Sequence, residues 1–238
     1  MSTFQRPRGL FVTGTDTGVG KTLIATGLLR HALRLGLTPI PFKPVETGCD
    51  PDPQDAHALW RAARPPLAAS DVCLHALRLP AAPALAAAAE AHPIDVHGIV
   101  TRAFELGQLG SPLIIEGAGG LLVPYTPTVT AADLAARFGL PLLVVARTAL
   151  GTINHTALTL AELRHRGLRL AGVILNRTTE GLAPHESANA DLIAAVTGEA
   201  PLGTVSFLPP SVRDDPDQAA DALLAALGER ALQRLLRD

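Results

Sequence analysis

The strongest chemical signal in the sequence is Gly14-Thr15-Asp16-Thr17-Gly18-Val19-Gly20-Lys21-Thr22. It follows an apolar run at 9–13 that reads as a strand and opens a stretch at 21–35 that reads as a helix. In that setting a glycine-rich loop ending in Gly-Lys-Thr has a phosphate-binding meaning. The glycines let the backbone turn tightly, so that its N–H groups converge on phosphate oxygens. The helix start adds the positive end of its dipole. Lys21 is expected to reach the β- and γ-phosphates of ATP, and the Thr22 hydroxyl to ligate Mg²⁺. The usual spacing is Gly, four residues, then Gly-Lys-Ser/Thr. Here Thr15 stands at the expected glycine, and the glycine lies one residue earlier, at Gly14.

Five further segments hold reactive or binding side chains at the ends of apolar runs or the starts of helices. Lys43, in Phe42-Lys43-Pro44-Val45-Glu46-Thr47-Gly48, emerges where open α/β sheets bind ligands, outside the carboxyl ends of the strands. It could neutralise a transferring phosphoryl group or an anionic substrate, or be an ordinary strand-end lysine. Glu116, in Ile115-Glu116-Gly117-Ala118-Gly119-Gly120, stands where such folds place a second Mg²⁺ contact, and small residues follow it. Asp55 falls at the start of a helix read over 54–63, where an Asp also serves as a cap, and Asp50 and Asp52 compete with it as metal ligands. Leu150-Gly151-Thr152-Ile153-Asn154-His155 opens another helix. Its free N–H groups could hold a carboxylate, or Thr152 could simply cap it. Asn176 ends a strand and could bond a nucleobase edge or close a turn. The eight histidines form no ligand cluster.

Positioning these groups requires a sheet. Runs at 9–13, 39–43, 112–116, 141–146, 171–176 and 202–207 read as strands buried on both faces. Helical stretches at 21–35, 54–63, 96–109, 131–138, 153–166, 186–196 and 216–236 alternate with them. Crossover connections follow, giving an α/β fold: a doubly wound, mostly parallel sheet with helices on both faces. Residues 62–93, rich in Ala and Pro, read as loops and short helices on the sheet's rim. The 238 residues suit a single domain over 1–238.

Composition narrows the partners. Aromatic residues make up only 3%, so the core must be built mainly from Ala, Leu, Val and Ile. A net charge of −2 gives no electrostatic reason to expect nucleic-acid or membrane-surface binding. Cys49 and Cys73 have no metal-ligand spacing and read as reduced thiols. The polar start at 1–9 lacks a secretory signal, and no run reaches a membrane span, so a cytoplasmic location is expected.

Taken together, the segments at 12–22, Lys43-Pro44-Val45, Glu116-Gly117-Ala118-Gly119-Gly120, Leu150-Gly151-Thr152-Ile153-Asn154-His155 and Ala171-Gly172-Val173-Ile174-Leu175-Asn176 resemble dethiobiotin synthetase. They run in that family's order from residue 9 to about residue 208. The resemblance implies an ATP- and Mg²⁺-dependent ligase of biotin synthesis, a homodimer acting on 7,8-diaminononanoate and CO₂. By the family pattern, Lys21, Lys43 and Thr17 are catalytic. Thr15, Asp16, Thr17, Gly18, Val19, Gly20, Lys21 and Thr22 would hold the nucleotide's phosphates, and Asn176, Val205 and Phe207 its adenine. Thr22, Asp55 and Glu116 would surround the metal. Thr47 would meet the diamine, and the backbone of Gly151, Thr152, Ile153 and Asn154 would receive the substrate carboxylate across a dimer interface. The chain departs from the pattern at Gly18, where some relatives carry Glu, at Thr47, where some carry Ser, and at Ser206, where Pro is frequent. The segment 81–84 is also barer than usual.

Rival readings are another P-loop synthetase, a partitioning or regulatory ATPase, and a nucleotide kinase. Synthetases of the cobyrinate-amidating kind add a glutaminase domain for which this length leaves no room. Partitioning ATPases carry a Lys early in the loop where Asp16 stands here. No lid-like basic segment marks a kinase.

Overall fold

In the computed structural model, residues 6–181 and 186–237 are described. The polar start at 1–5 lies outside them. The elements in chain order are β1 (Gly9–Gly14), α1 (Lys21–Arg34), β2 (Ile40–Thr47), α2 (Gln54–Ala63), β3 (Cys73–Leu77), α3 (Pro83–Ala89), α4 (Val96–Leu106) and β4 (Leu113–Gly120). A hairpin of β5 (Pro124–Thr126) and β6 (Val129–Thr130) precedes α5 (Ala131–Phe138), β7 (Leu142–Arg147), α6 (Thr152–His165) and β8 (Leu170–Asn176). The chain closes with α7 (Asn189–Thr197), β9 (Gly203–Val205), α8 (Pro210–Arg213), α9 (Pro216–Leu227) and α10 (Glu229–Arg237).

Among the described residues seven strands form one parallel sheet, ordered β3-β2-β4-β1-β7-β8-β9. Alternation along the strands feeds two core layers. Phe11, Ile115 and Val144 face the layer built with α4, α5 and α6. Leu10, Val12, Ile114, Leu143 and Val145 face the layer built with α1, α2, α9 and α10. Both faces of each central strand are therefore apolar, which is why these runs read as continuous rather than alternating. Gly27 lets α1 and α9 approach closely, since a Cβ there would meet the Ala219 carbonyl oxygen at 2.8 Å.

Strands β2 and β4 run on to Thr47 and Gly120, past the expected ends at 43 and 116, so Lys43 and Glu116 lie within them, while β9 and α4 stop earlier than expected, at Val205 and Leu106. Three further regions differ more in kind. The 62–93 stretch contains a strand, β3, as well as α3. It is an edge strand of five residues with His75 and Leu77 turned inward, too short and too Ala-rich in its surroundings to show a period. The expected helix at 216–236 is two helices, because Gly228 takes φ +75° between α9 and α10. The helix expected at 186–196 begins with a 3₁₀ turn over Glu186–Ala188. No helix among the described residues is long and apolar enough to cross a membrane.

Candidate active site

The chain leaves β1 at Gly14 and turns through residues 15–20 before α1. Gly18 and Gly20 take positive φ, +73° and +96°, and a Cβ on Gly20 would run into the Asn176 amide. Asn176, buried at the end of β8, donates from Nδ2 to the Val19 carbonyl at 2.9 Å, while its Oδ1 is buried without a partner. A residue expected to read a nucleobase thus also pins the crest of the loop. The shifted glycine has a local reason: a Cβ at Gly14 would meet the Asp16 carbonyl oxygen and the Val19 side chain, each at 2.8 Å. Thr15, one position on, donates its amide to the Val145 carbonyl at 3.0 Å.

Below the loop, charged side chains from four elements converge. Lys43 Nζ on β2 lies 2.5 Å from Glu116 Oε1 on β4 and 2.9 Å from Asp55 Oδ2 on α2. Thr22 at the start of α1 donates its hydroxyl to the same Glu116 oxygen at 3.0 Å. Glu116 Oε2 is buried and unpartnered. Lys21 Nζ, also buried, donates to the Asp16 carbonyl at 3.1 Å. Burial pulls the Lys21 pKa below its ordinary value. Burial pulls on Lys43 as well, but the Glu116 and Asp55 carboxylates outweigh it, so its pKa is raised and it stays an ammonium. Against burial, the same ammonium holds the Asp55 carboxyl below the usual carboxylate range.

These groups surround a cavity of about 590 Å³, whose lining includes Thr17, Lys21, Lys43, Thr47, Asp55 and Glu116. The residues expected for phosphate, metal and the reacting end of a substrate are thus brought to one place. Asp55 is more than a cap, since its carboxylate faces Lys43. Asp50 and Asp52 are exposed and outside the cavity lining. Asn176, Val205 and Phe207 do not line that cavity. Asn176 and Val205 are register partners across β8 and β9, beside the Val19 carbonyl, with Phe207 two residues beyond. Gly151, Thr152, Ile153 and Asn154 also lie outside the cavity lining. Simple capping by Thr152 is not what occurs: Gly151 is the N-cap at φ +93°, and the buried Thr152 hydroxyl has no partner.

Sequence reasoning gave no role to Glu46, Arg61 or Arg213, which also line the cavity. Arg61 follows Asp55 and Ala58 at helical spacing, a signal available in the sequence once one face of α2 is assigned to the site.

The strand order and the loop define a P-loop α/β protein. Among solved structures, a ParA-family ATPase from Chlorobium tepidum TLS is similar at TM-score 0.56 and 12% identity, covering 96% of this chain and 98% of that one. The MinC:MinD cell division complex of Aquifex aeolicus matches at TM-score 0.57 and 13% identity, over 96% of this chain and 93% of that one. At such identities the likeness is one of fold. Residues 8–214 match the family described as AAA domain (AAA_26). The ATP-dependent dethiobiotin synthetase BioD of Anaeromyxobacter dehalogenans (strain 2CP-C) is 45% identical over 207 residues, covering 87% of this chain and 93% of its own. The enzyme of the same name from Bacillus cereus (strain G9842) is 36% identical over 201 residues, covering 84% and 83%. The chain belongs to the dethiobiotin synthetase family within these AAA-domain proteins.

Proposed function

We infer that this chain closes the ureido ring of dethiobiotin from 7,8-diaminononanoate and CO₂, consuming ATP, as one P-loop ATP-binding domain. The observation that carries the reading is the meeting of Lys43, Asp55, Glu116 and Thr22 beside the Lys21 loop, in a chain of this family. One substrate amine adds to CO₂ to form a carbamate. A carbamate oxygen attacks the γ-phosphorus of ATP and ADP leaves, giving a carbamic–phosphoric anhydride. The second amine attacks the carbonyl carbon, the bond to the phosphate oxygen breaks, and the ring closes.

The protein's task in such a transfer is positioning and charge neutralisation. Lys43 remains protonated, so it acts as a cation toward the carbamate and the transferring phosphoryl group, and not as a base. Lys21 serves the β- and γ-phosphates, with the amides of residues 15–20 around them. Thr17 and Thr47 face the reacting end from the cavity wall. Thr22, Asp55 and Glu116 fit Mg²⁺: they are hard oxygen donors, and Glu116 Oε2 is buried without a partner. When bound, the ion supplies further neutralisation of phosphate charge. Asn176, Val205 and Phe207 would take the adenine.

A homodimer completes the reading. The α6 start at Gly151, Thr152, Ile153 and Asn154 lies outside the cavity lining, so a second copy would bring it to the substrate's carboxylate tail. Exposed Leu150 and Leu158 by α6, with Leu192 and Val196 on α7, support such a contact. Unpaired thiols at Cys49 and Cys73 fit a cytoplasmic place. The test is incubation with diaminononanoate, bicarbonate, Mg²⁺ and ATP, followed by mass spectrometry. The cyclic urea should form with one ADP per ring; ADP without cyclic urea would overturn the reading.

A further inference from the structure

The helix that carries Asp55 has an unusual start. Its N-cap is Pro53, whose side chain accepts no hydrogen bond. The first N–H groups of a helix have no partner inside it and need an acceptor from elsewhere. Here the acceptor comes from the sheet. The Glu46 carboxylate, near the end of β2 and 7% exposed, takes the Asp55 amide on Oε1 and the Ala56 amide on Oε2, each at 2.9 Å. One carboxylate therefore ties the first turn of α2 to the strand that also carries Lys43. Asp55 and Lys43 face each other at 2.9 Å only if strand and helix start keep that spacing. The link bridges the loop at 48–53 and, with the Lys43–Asp55 ion pair, ties the helix start to β2.

We propose that Glu46 is a positioning residue for the reaction: it fixes the backbone of Asp55, and through it the carboxylate that faces Lys43 and the metal. The inference rests on the metal role proposed above for Asp55. Each carboxylate oxygen takes a backbone N–H of the first turn of α2, the geometry of a group that acts through Asp55; because Glu46 also lines the cavity, the KM measurement below separates that role from direct contact with the diamine. Groups that orient a metal ligand typically affect metal affinity or activity by 10–100-fold when removed, and a loss of about that size is expected.

Three measurements on Glu46→Ala and Glu46→Gln test this. The Gln variant keeps the shape but turns one acceptor into a donor facing an N–H, so it should move in the same direction. It decides the matter if the Ala variant does not fold. First, amide exchange at Asp55 and Ala56 in nucleotide-free protein should accelerate by about 10-fold or more while the core of the sheet stays protected. Second, Mn²⁺ binding in the presence of ATP, followed by electron paramagnetic resonance, should weaken by about 10-fold or more. Third, kcat should fall with the diaminononanoate KM within about 3-fold, and Glu46→Ala should add little to Asp55→Ala. Unchanged exchange and unchanged Mn²⁺ affinity would overturn the proposal. So would a loss confined to the diamine KM, which would make Glu46 a direct substrate contact. If the wild type forms no cyclic urea, the proposed function falls, while the exchange and Mn²⁺ results still decide the role of Glu46.

Discussion

Helix α1 has a cluster of opposite charges beside each end, and the two clusters differ in their access to water. At its start, Thr22 donates to Glu116, which pairs with Lys43; those two charged side chains are 1% and 4% exposed. Further along, Arg30 and Arg34 pair with Asp217 and Asp221 on α9, whose side chains are 48% and 58% exposed. The Arg34 pairs of the outer cluster form a surface clamp, screened by water and worth little per pair, whereas the Arg30 side chain, 11% exposed, reaches its partner Asp217 from a largely buried place. Withdrawing the inner charges from water costs several kcal/mol per ion, and apolar side chains of equal size would often serve stability as well. Retaining buried, partly unpartnered charge is the mark of a site built for a charged ligand.

The contrast can be broken by substitution. Lys21→Ala should cause the largest effect, a loss of cyclic-urea formation of about 10³-fold or more, because the β/γ-phosphate charge loses its partner. Near-normal turnover would discard the phosphate site. Lys43→Ala should lower kcat by about 10²–10³-fold while ATP affinity measured by calorimetry stays within about 3-fold. A variant that merely bound ATP more weakly would remove Lys43 from the transition state.

The histidine pair at the sheet edge offers an intermediate case. His75 accepts the Asp95 amide on Nε2 at 3.3 Å, so Nδ1 carries the proton and donates to His92 Nε2 at 3.1 Å. Burial, then the neighbouring His92, hold the His75 pKa below 6.5. The unfolded chain thus binds a proton that the folded one rejects. The stability from this pair is fully present above the ordinary histidine value and declines as pH falls through it toward the lower folded value. Thermal unfolding across about pH 5 to 8 should show that decline, flattened in His75→Gln; parallel profiles would contradict it. The smallest effect belongs to the outer cluster. Arg34→Ala should cost about 1 kcal/mol or less in a denaturant titration, with synthetase activity within about 2-fold.

Much of this site was legible in the sequence because its parts sit on central strands or just beyond one. Lys43 and Glu116 each follow a short apolar run within β2 and β4, Lys21 closes the glycine-rich loop after β1, and one parallel sheet sets these segments side by side. The central strands were readable because apolar layers on both faces demand continuous runs. The edge strand β3 was not, since a five-residue strand beside Ala-Pro segments shows no period. Glu46 stood within the segment singled out for Lys43, yet its role stayed hidden. Its partners are backbone amides nine and ten residues on, and no pattern of side-chain types records them. Likewise Asn176 signalled a ligand contact, whereas its bond to the Val19 carbonyl depends on how two distant turns meet.

The most direct test follows oxygen. With ¹⁸O-labelled bicarbonate, ATP, Mg²⁺ and diaminononanoate, the phosphate released in the first turnovers should carry one ¹⁸O, and the ureido carbonyl another. That result requires an oxygen from the labelled carbon source to have attacked the γ-phosphorus, as the carbamate oxygen does in this account. Unlabelled phosphate, released equally well without the diamine, would contradict the account and leave a loop that only hydrolyses ATP.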